Sequence, residues 1–167
     1  MELGEVIPIS ELKKIVEEIY NKFGFTGAVY KPDNFILVKS DKMANQLCPT
    51  IKSNQNSVVI CSSAQQVLAR NALETKKPAV GECDAGFTKF VIPIFFNDEF
   101  LGTIGGCGCL VGDKASVDTF YIAKLMGKNE EEIKALAKNI SRISEEKLKE
   151  VVTFVQESIL SCLKKAK

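Results

Sequence analysis

The sequence predicts an α+β domain, a small antiparallel sheet covered by helices. Three observations carry this. Two apolar runs, residues 90–96 and 100–111, flank Asn97-Asp98, a pair of residues that tolerates positive φ, and together they read as a β-hairpin. A shorter pair of runs flanks Lys31-Pro32-Asp33-Asn34 in the same way. Amphipathic stripes with capping residues stand at both ends of the chain. No linker, repeat or low-complexity stretch divides these segments, so residues 1–167 are expected to form a single domain.

Taken in order, Ser10 is expected to cap a helix running to about Phe23, with Leu12, Ile15, Val16, Ile19, Tyr20 and Phe23 on one stripe and Gly24 as its stop. The first hairpin then uses Phe25 to Tyr30 and Phe35 to Val38. From Asp41 to Asn56 the pattern is irregular, with a short helix at its start and Cys48-Pro49 within it. Val58 to Cys61 is a short apolar run, after which Ser62 or Ser63 caps a helix to about Lys77 that Pro78 ends. The central hairpin spans Ala79 to Val111, and Pro93 inside its first strand requires an edge position or a bulge. Three helices close the chain, opened by Ser116, Asn129 and Ser144. The last carries Leu148, Val151, Val152, Val155, Ile159 and Cys162 on a stripe.

Composition excludes several classes of function. The net charge is +1, which gives no field favouring nucleic acid or an anionic membrane. The longest apolar run is far too short to span a bilayer, and the N-terminus lacks the pattern of a signal peptide. A cytoplasmic protein is therefore expected, and six cysteines there read as thiols or ligands rather than disulfides. Histidine is absent, which removes Ser-His and Cys-His catalysis and His-ligated zinc.

Four cysteines stand at element boundaries: Cys48, Cys61, Cys83 and Cys107. A hairpin brings its far ends together, so Cys83 and Cys107 become neighbours although 23 residues separate them. Four thiolates without imidazole suit an iron–sulfur cluster or an all-cysteine zinc site. The gaps of 12, 21 and 23 residues make such a site depend on the tertiary fold. Gly105, Gly106 and Gly108 would let the backbone approach a bulky group. The alternatives are plain core thiols and a redox pair. Strand alternation puts Cys109 on the side of Cys107, as a substitute ligand, a spare thiol or a resolving partner, and Cys162 reads as core.

Other features read more plainly. Gly102-x-x-Gly105-Gly-x-Gly108 ends a strand with no helix behind it, so a tight strand is favoured over a phosphate loop. Glu130, Glu131 and Glu132 complement a helix dipole. Glu82 and Asp84 beside Cys83 read as turn residues before ligands. Phe87, Phe90, Phe95, Phe96, Tyr30 and Tyr121 read as core before they read as the lining of an organic pocket.

Across residues 10–165 the chain resembles the PocR sensory domain family. The resemblance lies in Cys48, Cys61, Lys77-Pro78-Ala-Val, Glu-Cys83-Asp-Ala-Gly86, Val91-Ile-Pro93-Ile94, Glu99-Phe-Leu-Gly102 and Gly105-Gly-Cys107-Gly108. It implies a relative of the PAS and GAF sensor folds that senses small organic molecules for transcription, kinase or chemotaxis proteins. Many members carry histidine where this chain has Asp84, and some carry Gly-Gln in place of Cys107-Gly108. No output domain is read within the sequence. The expectation is a non-enzymatic sensory domain with Cys48, Cys61, Cys83 and Cys107 holding an iron–sulfur cluster or zinc. It would answer to a redox or small-molecule signal and act as a homodimer or on a signalling partner. The rival readings are an organic-ligand sensor with an aromatic pocket and structural cysteines, and a thiol oxidoreductase using Cys107 and Cys109.

Overall fold

The computed structural model describes residues 1–167. Its helices are α1 (Leu3–Val6), α2 (Ile9–Phe23), α3 (Leu47–Ser53), α4 (Val58–Thr75), α5 (Thr119–Met126), α6 (Glu130–Leu136) and α7 (Glu145–Lys165). Its strands are β1 (Thr26–Tyr30), β2 (Ile36–Lys39), β3 (Ala79–Glu82), β4 (Thr88–Phe96), β5 (Glu99–Val111) and β6 (Arg142–Ile143). The antiparallel sheet runs β2-β1-β5-β4-β3, and β6 pairs in parallel with the tail of β5. An open antiparallel sheet covered by helices is the expected α+β class and is consistent with a PAS/GAF-like sensor fold.

The central hairpin forms because Asn97 and Asp98 both adopt positive φ, at 51° and 64°, whose twist matches that of the flanking strands. Pro93 lies opposite Thr103 of β5, while β3 stops pairing at Val91. The far side of Pro93 is thus an open edge, where its missing N–H costs no ladder bond. β3 forms a second hairpin with β4, so Cys83 sits in a turn between two strands rather than ahead of the first.

Two layers of helix cover the sheet. On one face Leu12, Ile15, Val16 and Ile19 of α2 and Val151, Val155, Ile159 and Leu163 of α7 bury against Phe90, Ile92, Ile94 and Ile104. Phe25 meets Phe90 edge to face there, ring centroids 5.2 Å apart, a geometry that adds about 1 kcal/mol to area burial. The other face carries α3, α4, α5 and α6 over a second core of Leu47, Ile51, Ile60, Phe87, Ile122 and Ile133. Asn129 and Ser144 cap α6 and α7 by accepting from Glu131 and Lys147 amides.

Several boundaries differ from expectation. α2 starts at Ile9 with Pro8 before it, and Ser10 makes no cap. Pro8 is the N-cap instead, its carbonyl accepting from Glu11 N and Leu12 N at 2.9 and 3.1 Å. α5 is capped by Asp118, whose carboxylate accepts from Tyr121 N, and not by Ser116. The short helix of the irregular segment lies at its end, as α3, rather than at its start. The run from Val58 to Cys61 is the first turn of α4, so Ser62 and Ser63 are interior residues. Burial at Ile60, Leu68, Ala69 and Ala72 lets tertiary packing override the strand propensity of its β-branched residues. The α7 stripe ends in Leu163, with Cys162 half-buried beside it against the same core.

Candidate functional site

Cys48, Cys61, Cys83 and Cys107 come from α3, α4, the β3–β4 turn and β5, and all four line one cavity of about 20 Å³. That space holds about one water. All six cysteines of the chain are free thiols. No group of three or more His, Cys, Asp or Glu side chains stands close enough to hold a single metal ion.

Each thiol has a local reason for its place. Cys48 occupies the first turn of α3, where Pro49 is tolerated because the first-turn N–H groups have no helical partner. The Asn45 carbonyl accepts from Cys48 N at 2.8 Å, and its amide donates to Gly108 O at 2.8 Å and to the Cys48 sulfur at 3.3 Å. One side chain thus ties α3 to β5. Asn45→Ala removes all three bonds and is expected to cost about 1–3 kcal/mol in urea unfolding and to speed labelling of Cys48 by a thiol reagent. Unchanged labelling would show that Asn45 does not hold this thiol in place.

Cys83 sits in a tight turn in which Cys83 N donates to Phe87 O and Gly86 N to Cys83 O, both at 2.9 Å. Burial pushes the Cys83 pKa up, and the nearby amides of Phe87, Ala85 and Gly86 offset part of this by favouring the thiolate. Such amide donors are what a ligating sulfur uses to spread its charge.

Cys107 and Cys109 do not share a face. Gly108 has φ +101°, and the pairing with β4 slips there, Thr88 opposite Cys109 and Lys89 opposite Cys107. The bulge turns Cys109 into the α2–α7 core, where it is fully buried and its thiol donates to Gly24 O at 3.4 Å. Strict alternation fails because it assumes two residues per pleat. A Cβ at Gly108 would lie 2.8 Å from that of Ala44, so the bulge needs glycine for space as well as for φ.

Two lysines complete the site. Lys52 of α3 and Lys89 of β4 line the thiol cavity. Lys89 is only 6% exposed, with its Nζ 3.5 Å from the Tyr30 hydroxyl. Burial works against the charge of both lysines, but Cys107 and then Tyr30 outweigh it and raise both pKa values. Sequence reading passed over these residues. The available signal was Lys89 itself, one charge at the head of an apolar strand.

Burial is also the leading cause that raises the pKa of Cys48, Cys61 and Cys109, the last pushed up to about 12. The linkage follows directly. An unfolded thiol ionises from about pH 9 while the buried one keeps its proton, so the folded state binds more protons above that pH. The metal-free chain is therefore expected to be most stable below pH 9 and to lose stability as pH rises from there toward 12. Urea midpoints at pH 8 and pH 10 check the sign, and Cys109→Ala should flatten the slope.

The aromatic residues do not gather into a pocket. Phe90 belongs to the α2–α7 core and Phe87 to the second core, Phe95 pairs with Phe100, and Tyr30 lines a separate cavity described below. Glu82 and Asp84 flank the Cys83 turn and do not line the thiol cavity.

The family model described as "PocR: Sensory domain found in PocR" matches residues 5–167, and the chain belongs to that family. No curated protein and no solved structure matches it. No helix is long and apolar enough to cross a membrane.

Proposed function

We propose that this chain is a non-enzymatic sensory domain that reads its signal at the centre formed by Cys48, Cys61, Cys83 and Cys107, and that the four thiols hold an iron–sulfur cluster. The supporting observation is convergence. Four separate elements bring four sulfurs to one cavity, together with two lysines and no carboxylate. A thiolate-ligated cluster carries net negative charge, which buried lysines offset and buried carboxylates would oppose. The cavity has to widen to admit the cluster. The six free thiols suit a reducing compartment, and we place the domain in the cytoplasm.

Such a group joins α3, α4 and the β3–β4 turn to β5, so its loss or oxidation frees the helical layer from the sheet. Anaerobic purification with iron and acid-labile sulfide analysis tests the reading. The wild type should be brown. Serine at position 48, 61, 83 or 107 should remove most of the iron and lower the melting temperature, because binding adds to folding free energy. Cys109→Ser and Cys162→Ala should keep it. Colourless, iron-free wild type from an anaerobic preparation would sink the cluster.

A further inference from the structure

A second cavity, about 280 Å³, lies on the same face of the sheet, and Lys52, Lys89 and Cys107 line both it and the thiol cavity. Lys39 adds a third ammonium to the larger cavity only, and Tyr30 adds a hydroxyl. No aspartate or glutamate lines it. None of the three lysines takes part in any of the chain's ion pairs. Lys89 is the decisive one. An ammonium group has three donors, and the sole protein acceptor of Lys89 is the Tyr30 hydroxyl, at the long distance of 3.5 Å. A buried ammonium with no carboxylate partner and donors left unfilled is costly, so it marks a place where an anion can arrive from outside. The rest of the wall includes Ile36 and Met43, which offer apolar surface.

We propose that this cavity is the receptor site for a small organic monocarboxylate, its carboxylate held by Lys89 and Lys52 and its short apolar body against Ile36 and Met43. The volume is just below the usual range for drug-sized ligands, which restricts the body to a few carbons or one ring. Lys39, Lys52 and Lys89 line the cavity without any carboxylate, so an anionic group is the complement of its wall. The proposal rests on the sensory reading of the domain and not on the cluster, since every residue it uses is present without metal. The shared lysines also make the two cavities respond to each other, because a carboxylate on Lys89 alters the field at Cys107.

Isothermal titration calorimetry on the anaerobically purified chain tests it, with butyrate, benzoate, succinate and inorganic phosphate as probes and butyramide as the neutral counterpart of butyrate. Butyrate or benzoate should bind and butyramide should not. Lys89→Met should weaken binding about 10-fold or more, the loss of a charge-assisted contact. If circular dichroism shows that Lys89→Met fails to fold, Lys52→Met and Lys39→Met decide the point, and each should weaken binding measurably. Iron content and carboxylate binding measured on the same wild-type preparation separate the two readings, since binding without iron leaves this site standing and iron without binding leaves the cluster standing. The proposal is overturned if neither monocarboxylate binds, if butyramide binds as well as butyrate, if phosphate alone binds, or if the folded lysine variants bind like the wild type.

Discussion

Gly86→Ala is expected to destabilise the domain by about 3 kcal/mol or more and to strip Cys83 of its amide donors. Gly86 has φ +100°, a conformation that side chains rarely adopt. A Cβ there would lie 2.0 Å from Ser116 O and 3.1 Å from the same carbonyl carbon. Both are backbone atoms, so no rotamer change relieves the clash. Segment 115–118 is itself pinned, because Asp118 N donates to Ala85 O at 2.9 Å. The turn must therefore open, and the amides of Ala85, Gly86 and Phe87 swing away from the Cys83 sulfur. Urea unfolding should show a lowered midpoint with little change in slope, and a metal-bound preparation should lose iron nearly as fully as Cys83→Ser. Wild-type stability together with wild-type iron content would contradict the turn geometry.

Val155→Glu should leave the chain unfolded or molten at neutral pH. Val155 is wholly buried in the α2–α7 core, among apolar side chains. A carboxylate there either loses its hydration or takes up a proton, and both routes cost several kcal/mol, a large share of a domain's stability. Val155→Ala, which only leaves a cavity, should cost about 2 kcal/mol. Leu160→Glu should be silent, since Leu160 is 55% exposed. The sequence stripe allowed α7 to serve either as core or as a pairing surface. In the fold it faces its own sheet and α2, so loss of native circular dichroism is the expected readout, and a folded Val155→Glu monomer arising from a dimer would reverse this assignment.

What could be read from the sequence followed from local rules, and what could not depended on contacts. Asn97-Asp98, Asn129, Ser144 and the Pro93 edge were legible because each acts on its own backbone. The α2 and α7 stripes were legible from their period. Cys48, Cys61, Cys83 and Cys107 share a cavity as their boundary positions suggested, although proximity alone does not say what they hold. The start of α4 was not legible, because Val58 and Val59 favour strand until Ile60 finds the second core. Cys109 was misplaced by one pleat, since nothing local announces that Gly108 will take positive φ. The lysine-lined cavity was invisible, because Lys39, Lys52 and Lys89 lie far apart along the chain, on β2, α3 and β4, and become a set only when the sheet aligns and α3 packs beside it.

The bulge at Gly108 makes β5 a rocker. Cys107 is the arm on the side of the lysines and thiols, and Cys109 is the arm on the far side, its sulfur against the carbonyl of Gly24 that closes α2. A torque applied at one arm reaches the other within two residues, without travelling around the sheet. A ligand seated beside Cys107 is expected to be felt, through a single glycine fulcrum, at the helix pair α2 and α7. Hydrogen exchange at the α2 C-terminus on butyrate binding would register that stroke, and unaltered exchange there would mean the rocker is locked.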